Sequence, residues 1–288
     1  MTGEAPLVFD RGLVRRRLAR AVRGGYAGFL LEHVFDDLEA RLSLVRRTFP
    51  LALDLGTPAA GMAGRLVAAG KAERVVRLGA VTNIGVTLVG DEETLPFAEG
   101  RFDLVVSLLS LQSVNDLPGA LLQARRALKP DGLFLACLLG GDTLKELRDS
   151  FAAAESELES GVSPRVAPFA EVRALGGLLQ RAALALPVAD VDTLTIRYGS
   201  PFGLLRDLRA MGLTNALRDR RRAPLRRSTL LRMASIYAER YADPDGRVRA
   251  TFDVVWLSGW APHESQPKPL KPGSAQVRLA DALGAGRA

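Results

Sequence analysis

The sequence is poor in the residues that build metal centres and cross-links. Among 288 residues there is one cysteine, Cys137, and there are two histidines, His33 and His263. A single cysteine excludes an internal disulfide and a cysteine-rich metal site. The histidines lie far apart, and neither belongs to a His-x-Asp pair, so no iron site of two histidines and one carboxylate is indicated. We therefore predict no bound metal, and a core position for Cys137 in a buried strand.

Long apolar stretches are also absent. No run of about 18 uncharged apolar residues occurs, which is the length that crosses a bilayer. The N-terminus carries arginines but lacks the apolar centre of a secretion signal. We therefore expect a cytoplasmic protein of bacterial type, or a mitochondrial matrix protein in an organellar setting, without a transmembrane segment. Peripheral association with a membrane stays open.

The charge is strongly basic, with a formal net charge of +7 and a pI near 10.0. Arginines concentrate at 11–23 and at 218–227. Such runs attract acidic protein surfaces, anionic lipids or nucleic acid through the same long-range field. No RNA-binding motif or interleaved aromatic pattern accompanies them, so nucleic acid is not expected. The alternatives are an acidic protein partner and solvated helix faces without a partner.

The middle of the chain has the pattern of an α/β domain. Residues 102–110 form an almost continuous apolar run, which is typical of a parallel strand covered by helices on both faces. A helix with one apolar side follows from Leu117, and KPDG at 129–132 predicts its end and a turn into a strand at 132–139. Asp91 and LPF at 95–97 precede this unit. The order resembles the Rossmann-like class I methyltransferases that use S-adenosylmethionine, which implies a mostly parallel seven-stranded sheet.

The chain divides into an expected N-terminal helical lid, 1–47, and a methyltransferase-like α/β domain, 48–288. Within the domain we predict a helix at 142–159, a helical insertion at about 200–242 before the last strand, and an extended C-terminal tail at 260–288. The tail is rich in proline and lysine, which disfavours regular structure.

The cofactor loop departs from the pattern of this fold. LALDLG at 51–56 matches its opening, and the resemblance implies cofactor contacts for five residues: Asp54, Gly56, Gly61, Asp91 and Glu92. Glycines in such a loop let backbone amides approach the cofactor. Here Pro58 stands at the second glycine position and donates no hydrogen bond. No acid for the ribose hydroxyls follows the second strand, so S-adenosylmethionine binding is left open.

Candidate catalytic residues lie after the two central strands. Gln112, Asn115 and Asp142 follow predicted strands at their carboxyl ends, where ligands sit in open α/β sheets. Methyl transfer chiefly needs alignment of the reacting groups, with an acid or base where a proton must leave. The structural alternative is an N-cap at Asp142 for a helix beginning at Thr143, and a turn and cap at Asn115.

Candidate substrate residues lie later in the chain. His263 and Glu264 form a polar cluster after the last strand, which either faces the substrate or pins the tail. Tyr198 either lines a peptide groove or belongs to the core.

Motifs along nearly the whole chain resemble one narrower family, the methyltransferase-like assembly factors of respiratory complex I, which includes the mitochondrial arginine hydroxylase. The shared segments are VFDR at 8–11, DEETLPF at 91–97, VNDLP at 114–118, RAMG at 209–212, HESQ at 263–266 and GSA at 273–275. The resemblance implies hydroxylation of an arginine on a matrix-arm subunit near the quinone site. Gln112 and Ser113 stand where the family commonly has His-Trp.

Three functions therefore remain open. The first is a complex I assembly factor that modifies an arginine of a protein partner. The second is an S-adenosylmethionine-dependent methyltransferase of another substrate. The third is an assembly scaffold without catalysis, which Pro58 and the missing ribose acid favour.

Overall fold

The computed structural model describes residues 7–82 and 85–267, which form one seven-stranded sheet with helices on both faces. The strands are β1 (Phe49–Leu55), β2 (Ala72–Gly79), β3 (Leu88–Val89), β4 (Phe102–Leu108), β5 (Leu128–Gly140), β6 (Ala185–Tyr198) and β7 (Val248–Trp260). The helices are α1 (Arg11–Arg23), α2 (Phe29–Ser43), α3 (Met62–Ala68), α4 (Leu117–Ala127), α5 (Lys145–Leu158), α6 (Val172–Arg181), α7 (Pro201–Ala210) and α8 (Arg227–Tyr241).

The sheet has the order β3-β2-β1-β4-β5-β7-β6. Neighbouring strands from β3 to β5 are parallel, and β7 runs antiparallel to both β5 and β6. The expected Rossmann-like methyltransferase fold is thereby confirmed. The carboxyl ends of β1, β4, β5 and β6 meet at one edge, which we call the carboxyl edge.

Alternating side chains of β5 feed two hydrophobic cores. Leu135 and Cys137 face the core built with α2, α5, α7 and α8, whereas Phe134 and Ala136 face the core built with α4 and α6. Successive side chains of a strand point to opposite faces of the sheet, so a strand with helices on both faces needs apolar residues at every position. The predicted core position of Cys137 is confirmed, since its side chain is fully buried.

The N-terminal segment consists of two helices with different surroundings. Helix α2 buries the apolar stripe expected from its spacing and belongs to the core. Helix α1 instead lies over the carboxyl edge, where Arg11 contacts Asp91 and Ser113. A lid role therefore remains a hypothesis for α1 alone.

Three predictions of local structure need correction. KPDG at 129–132 lies inside β5, where the pairing of β4 shifts from Leu128 to Leu133 and Asp131 has a positive φ of 61°. Helix α5 begins at Lys145 and not at Asp142, because Leu144 takes a left-handed conformation just before it. Helix α6 was not predicted, although its apolar positions 172, 175, 178 and 179 have helical spacing.

Strand β7 extends to Trp260, so the tail expected at 260–288 begins no earlier than Ala261. Its greater part, 268–288, lies outside the described residues. The expected insertion at about 200–242 corresponds to α7 and α8, which stand between β6 and β7.

Candidate functional site

The loop after β1 is tightly surrounded by side chains of its own chain. Gly56 has a φ of 78°, and a Cβ atom there would lie 2.6 Å from Glu92 Oε1 and 2.7 Å from Ser110 Oγ. Gly61 precedes α3 with a φ of 129°, close to the ring of Phe35. Glycine is thus required at both positions by conformation and by space. At Gly56 the space beside the backbone is filled by protein.

A buried arginine organises this loop from below. Arg77 lies opposite Asp54 in the pairing of β1 with β2, and its Nε is 3.0 Å from Asp54 Oδ2. Its Nη2 donates to the carbonyl oxygens of Thr57, at 2.9 Å, and Ala59, at 2.6 Å. Burial raises the pKa of Asp54 to about 6, against the opposing effects of Thr57 and Arg77. The loop after β1 and the carboxylate of Asp54 therefore surround the guanidinium group of Arg77.

The acids after β3 are paired with arginines of α1. Arg11 Nη2 donates to Asp91 Oδ1 at 2.7 Å and also to Glu92, while Arg15 pairs with Asp91. Arg11 Nη1 donates to the carbonyl oxygen of Ser113 at 3.1 Å. Burial alone would raise the pKa of Asp91, but the Glu93 amide and Arg11 lower it. Asp91 and Glu92 thus hold a guanidinium group at the carboxyl edge.

Asn115 has a structural partner in the N-terminal segment. Its Oδ1 accepts from the amide of Phe9 at 2.8 Å, and its Nδ2 donates to the carbonyl oxygen of Phe9 at 3.2 Å. The neighbouring Asp116 caps α4 by accepting from the amide of Gly119. Asn115 and Asp116 thus act as the turn and helix cap that the sequence offered as the structural alternative. A catalytic role for Asn115 remains a proposal.

Gln112 and Asp142 differ in their surroundings. Gln112 lies in a short 3-10 turn after β4, donates to the Leu109 carbonyl oxygen at 2.7 Å, and lines an apolar cavity. Asp142 is exposed and pairs with Lys145 Nζ at 2.9 Å. It does not cap α5, because Leu144 holds the N-cap position. The structure does not bring the three candidate catalytic residues together around one point.

The candidate substrate residues lie apart from one another. Tyr198 ends β6 at the carboxyl edge and is buried in the core beside Gly203. His263 and Glu264 follow Trp260, which pairs with Leu133 at the opposite edge of the sheet. At that edge the side chain of Gln266 donates to Asp131 and accepts from the amide of His263. The segment with His263 and Glu264 is thereby held against the first residues of β5. His263 and Glu264 do not line the cavity at the carboxyl edge.

The cavity beside Gln112 has a volume of about 450 Å³. It lies between α1, α5, α7 and the segments around 165–169 and 212–217. Its lining is mainly apolar, with Leu147 and Phe151 from α5, and it includes the guanidinium-bearing side chains of Arg17 and Arg165. Arg17 belongs to the basic run 11–23, but the sequence does not predict that it lines one cavity with Arg165, because the two residues are far apart in the chain.

Comparison with known proteins places this geometry in a family. Residues 56–136 match the model of a methyltransferase domain. The chain is 42% identical to the mitochondrial arginine-hydroxylase NDUFAF5 of Homo sapiens over 286 residues, covering 95% of this chain and 83% of the relative. It is 40% identical to the same protein of Danio rerio, covering 95% and 89%.

The chain belongs to the arginine-hydroxylase NDUFAF5 family. A more distant relative is the malonyl-[acyl-carrier protein] O-methyltransferase of Halorhodospira halophila, at 33% identity over 87% of this chain and 88% of the relative. The arginine-hydroxylase family thus lies within the wider group of methyltransferase-like proteins.

Solved structures show the same fold. The YcgJ protein of Bacillus subtilis aligns with a TM-score of 0.53 at 15% identity, covering 81% of this chain and 99% of the other. A methyltransferase of Burkholderia thailandensis with bound 1,6-didemethyltoxoflavin and S-adenosylhomocysteine aligns with a TM-score of 0.51 at 16% identity, covering 90% and 93%. At these identities the likeness concerns the fold alone.

The residues at the expected cofactor position do not fit S-adenosylmethionine. That cofactor is cationic at its sulfonium and ammonium groups, so it is attracted by free carboxylates. Here the carboxylates of Asp54 and Asp91 are already paired with Arg77 and with arginines of α1. The residues 79–82 after β2 include no acid for the ribose hydroxyls. The chain thus has the methyltransferase fold, and the acids at its expected cofactor position pair with arginines of the chain itself.

Two further properties concern the described residues. Within 7–82 and 85–267, no group of three or more His, Cys, Asp or Glu side chains could hold a metal ion. None of the helices in these ranges is long and apolar enough to cross a membrane.

Proposed function

We propose that this protein acts in the assembly of respiratory complex I as a protein-arginine hydroxylase. The observation that carries the proposal is 40–42% identity to vertebrate proteins named arginine-hydroxylase along 95% of the chain. The substrate is then an arginine of a matrix-arm subunit of the quinone module. Its place of action is the compartment that this arm faces, the cytoplasm of a bacterium or the mitochondrial matrix.

Two features of the structure support a basic peptide as substrate within a larger acidic partner. The carboxylates of Asp91 and Glu92 bind the guanidinium group of Arg11, so this edge of the sheet accommodates an arginine side chain. Exposed arginines of α1 and of 218–227 provide a positive surface that attracts acidic protein. The carboxylates suit the arginine that is modified, and the positive surface suits the acidic remainder of the partner.

The reaction replaces a C–H bond of the arginine side chain by a C–OH bond. With dioxygen as oxidant, the second oxygen atom leaves as water after taking up two electrons and two protons, so an electron donor is consumed. Chemistry of this kind belongs to a metal or organic cofactor, and the protein contributes binding and orientation. To be oriented by Asp91 and Glu92, the guanidinium group of the substrate would have to displace that of Arg11, which it matches in charge and shape.

The test is the mass of the partner's arginine peptides. In a strain that lacks this protein, we expect the modified arginine to lose the mass of one oxygen atom, and the wild-type gene to restore it. Native electrophoresis of membranes from the same strains measures the amount of assembled complex I. An arginine peptide whose mass is unchanged by the deletion would contradict the hydroxylase function.

A second function is favoured by the pairing of Asp54 and Asp91 with arginines of the chain, namely an assembly factor without catalysis. It predicts that the deletion lowers assembled complex I but changes no peptide mass. It also predicts that substitution of exposed arginines in 218–227 lowers assembly, whereas Asp142→Asn does not. A methyltransferase function is disfavoured, because the residues present do not fit S-adenosylmethionine.

A further inference from the structure

The cavity at the carboxyl edge has the size and lining of a small-molecule site. Its volume of about 450 Å³ falls in the range of ligand pockets, which are commonly apolar with a few placed polar groups. Apolar side chains come from β5, α5 and α7, including Leu139, Leu147 and Leu208. A ligand that fits this lining has an extended apolar part.

The charged groups that line the cavity have one sign. Its lining includes Arg17 and Arg165, and no Asp or Glu is among the described residues that line it. Arg165 is neutralised by Glu155, a fully buried carboxylate that also accepts from Ser163. The remaining positive charge at the wall of the cavity is that of Arg17.

Arg17 has no carboxylate partner within the described parts of the chain. Its Nη1 donates to the carbonyl oxygen of Thr214 at 2.7 Å, which leaves further donors of the guanidinium group. Burial lowers its pKa most, the positive charges of Arg220 and Arg20 lower it further, and Asp10 raises it, so its charge is only partly compensated. An anion beside Arg17 would relieve this repulsion and form charge-assisted hydrogen bonds.

We infer that the cavity binds a medium-chain fatty acid, with the carboxylate on Arg17 and the alkyl chain among the leucines of α5 and α7. A cationic ligand such as an arginine side chain is disfavoured here, because the unpaired charge at the wall is positive. This site is distinct from Asp91 and Glu92, which hold Arg11. The inference does not require arginine hydroxylation, although the candidate catalytic residue Gln112 lines the same cavity.

The experiment is a calorimetric titration of the full-length protein with sodium dodecanoate, kept below the concentration at which it forms micelles. Methyl dodecanoate has the same alkyl chain without the charge and serves as the second probe. We expect dodecanoate to bind at least about tenfold more tightly than the ester, because an ionic hydrogen bond is lost in the ester. Equal affinity for the two probes, or no binding of dodecanoate, would overturn the inference.

Two variants locate the site. Arg17→Met keeps most of the side-chain length and should reduce the affinity for dodecanoate to that of the ester, whereas Arg23→Met, at an exposed arginine of α1, should leave it unchanged. Ala167→Phe adds a ring at the wall of the cavity and should abolish binding of both probes. Thermal unfolding of each variant checks that it is folded. Wild-type binding by Arg17→Met or by Ala167→Phe would place the fatty acid elsewhere and refute the proposed site.

Discussion

At the scale of single residues, Arg77 has the greatest effect on the candidate site. It is 3% exposed, lies beside a carboxylate that is 1% exposed, and holds the carbonyl oxygens of Thr57 and Ala59. A charge so buried is tolerated only when it is paired and hydrogen-bonded. Arg77 therefore fixes the backbone of the loop after β1 through the carbonyl oxygens of Thr57 and Ala59.

Replacing Arg77 by methionine should be strongly destabilising. The change leaves Asp54 buried without its cation, and breaking such a pair costs about 3–5 kcal/mol. Arg74→Met, at an exposed position of the same strand, should change the free energy of unfolding by no more than about 0.5 kcal/mol. Urea unfolding at neutral pH measures both.

The double variant Asp54→Asn with Arg77→Met tests the cause of that loss. Removing both charges should recover part of the stability, because no unpaired charge then remains in the core. Equal stability of Arg77→Met and Arg74→Met would show that the buried pair does not support the loop.

The pairing of Arg77 with Asp54 illustrates how far the sequence can be interpreted. Almost continuous apolar runs predict β4 and β5, because both faces of a central strand are buried. Asp54 and Arg77 are 23 positions apart, and only the register of β1 with β2 places them opposite each other. The position of Arg77 between Val76 and Leu78 was the available signal, and its partner could be identified only from the structure.

At the scale of elements, α1 is held at the carboxyl edge by polar contacts. Arg11 is anchored by Asp91, Glu92 and the Ser113 carbonyl oxygen, and only 13% of its side chain is exposed. Asn115 holds the backbone of Phe9 just before the helix. Helix α1 buries only Ala21, so these polar contacts are important for its position.

Replacing Arg11 by methionine should loosen α1. Without the guanidinium group, Asp91 and Glu92 repel each other and the helix loses its main anchor. Trypsin, which cuts after arginine, should then cleave at 15–17 faster than in the wild type, as followed by mass spectrometry of the fragments. Arg20→Met, which removes an exposed arginine of the same helix, is the matched control. Equal cleavage rates in the two variants would contradict an anchoring role for Arg11.

The start of α5 shows why element boundaries were less predictable than element types. Asp142 and Thr143 have the composition of a helix cap. In the structure Thr143 Oγ1 bonds the Gly140 carbonyl oxygen and Asp253 binds the amide of Asp142, so both residues belong to a turn after β5. The helix begins only after Leu144, because tertiary contacts with β7 take precedence over the local capping pattern.

At the scale of the whole molecule, the fold was predictable and the cavity was not. Sequence motifs and strand patterns indicate the methyltransferase fold, and comparison with relatives confirms the family. The cavity is formed by segments around residues 9–17, 112, 139–151, 165–169 and 205–225, which meet only in the folded chain. No single stretch of the sequence therefore predicts the cavity.

The whole molecule thus combines the architecture of a methyltransferase with ion pairs between its own arginines and the acids of the expected cofactor position. Among the alternatives left open by the sequence, these ion pairs favour action on a protein partner over methyl transfer. The binding of the cofactor is therefore the property that most directly separates these alternatives.

The most direct measurement is a calorimetric titration of the full-length protein with S-adenosylhomocysteine and S-adenosylmethionine, with a class I methyltransferase as positive control in the same buffer. Because Arg77 and Arg11 occupy the acids of the site, we predict no binding heat up to about 1 mM, a concentration that detects all but very weak complexes. A dissociation constant in the micromolar range for either compound would contradict the view that these ion pairs exclude the cofactor.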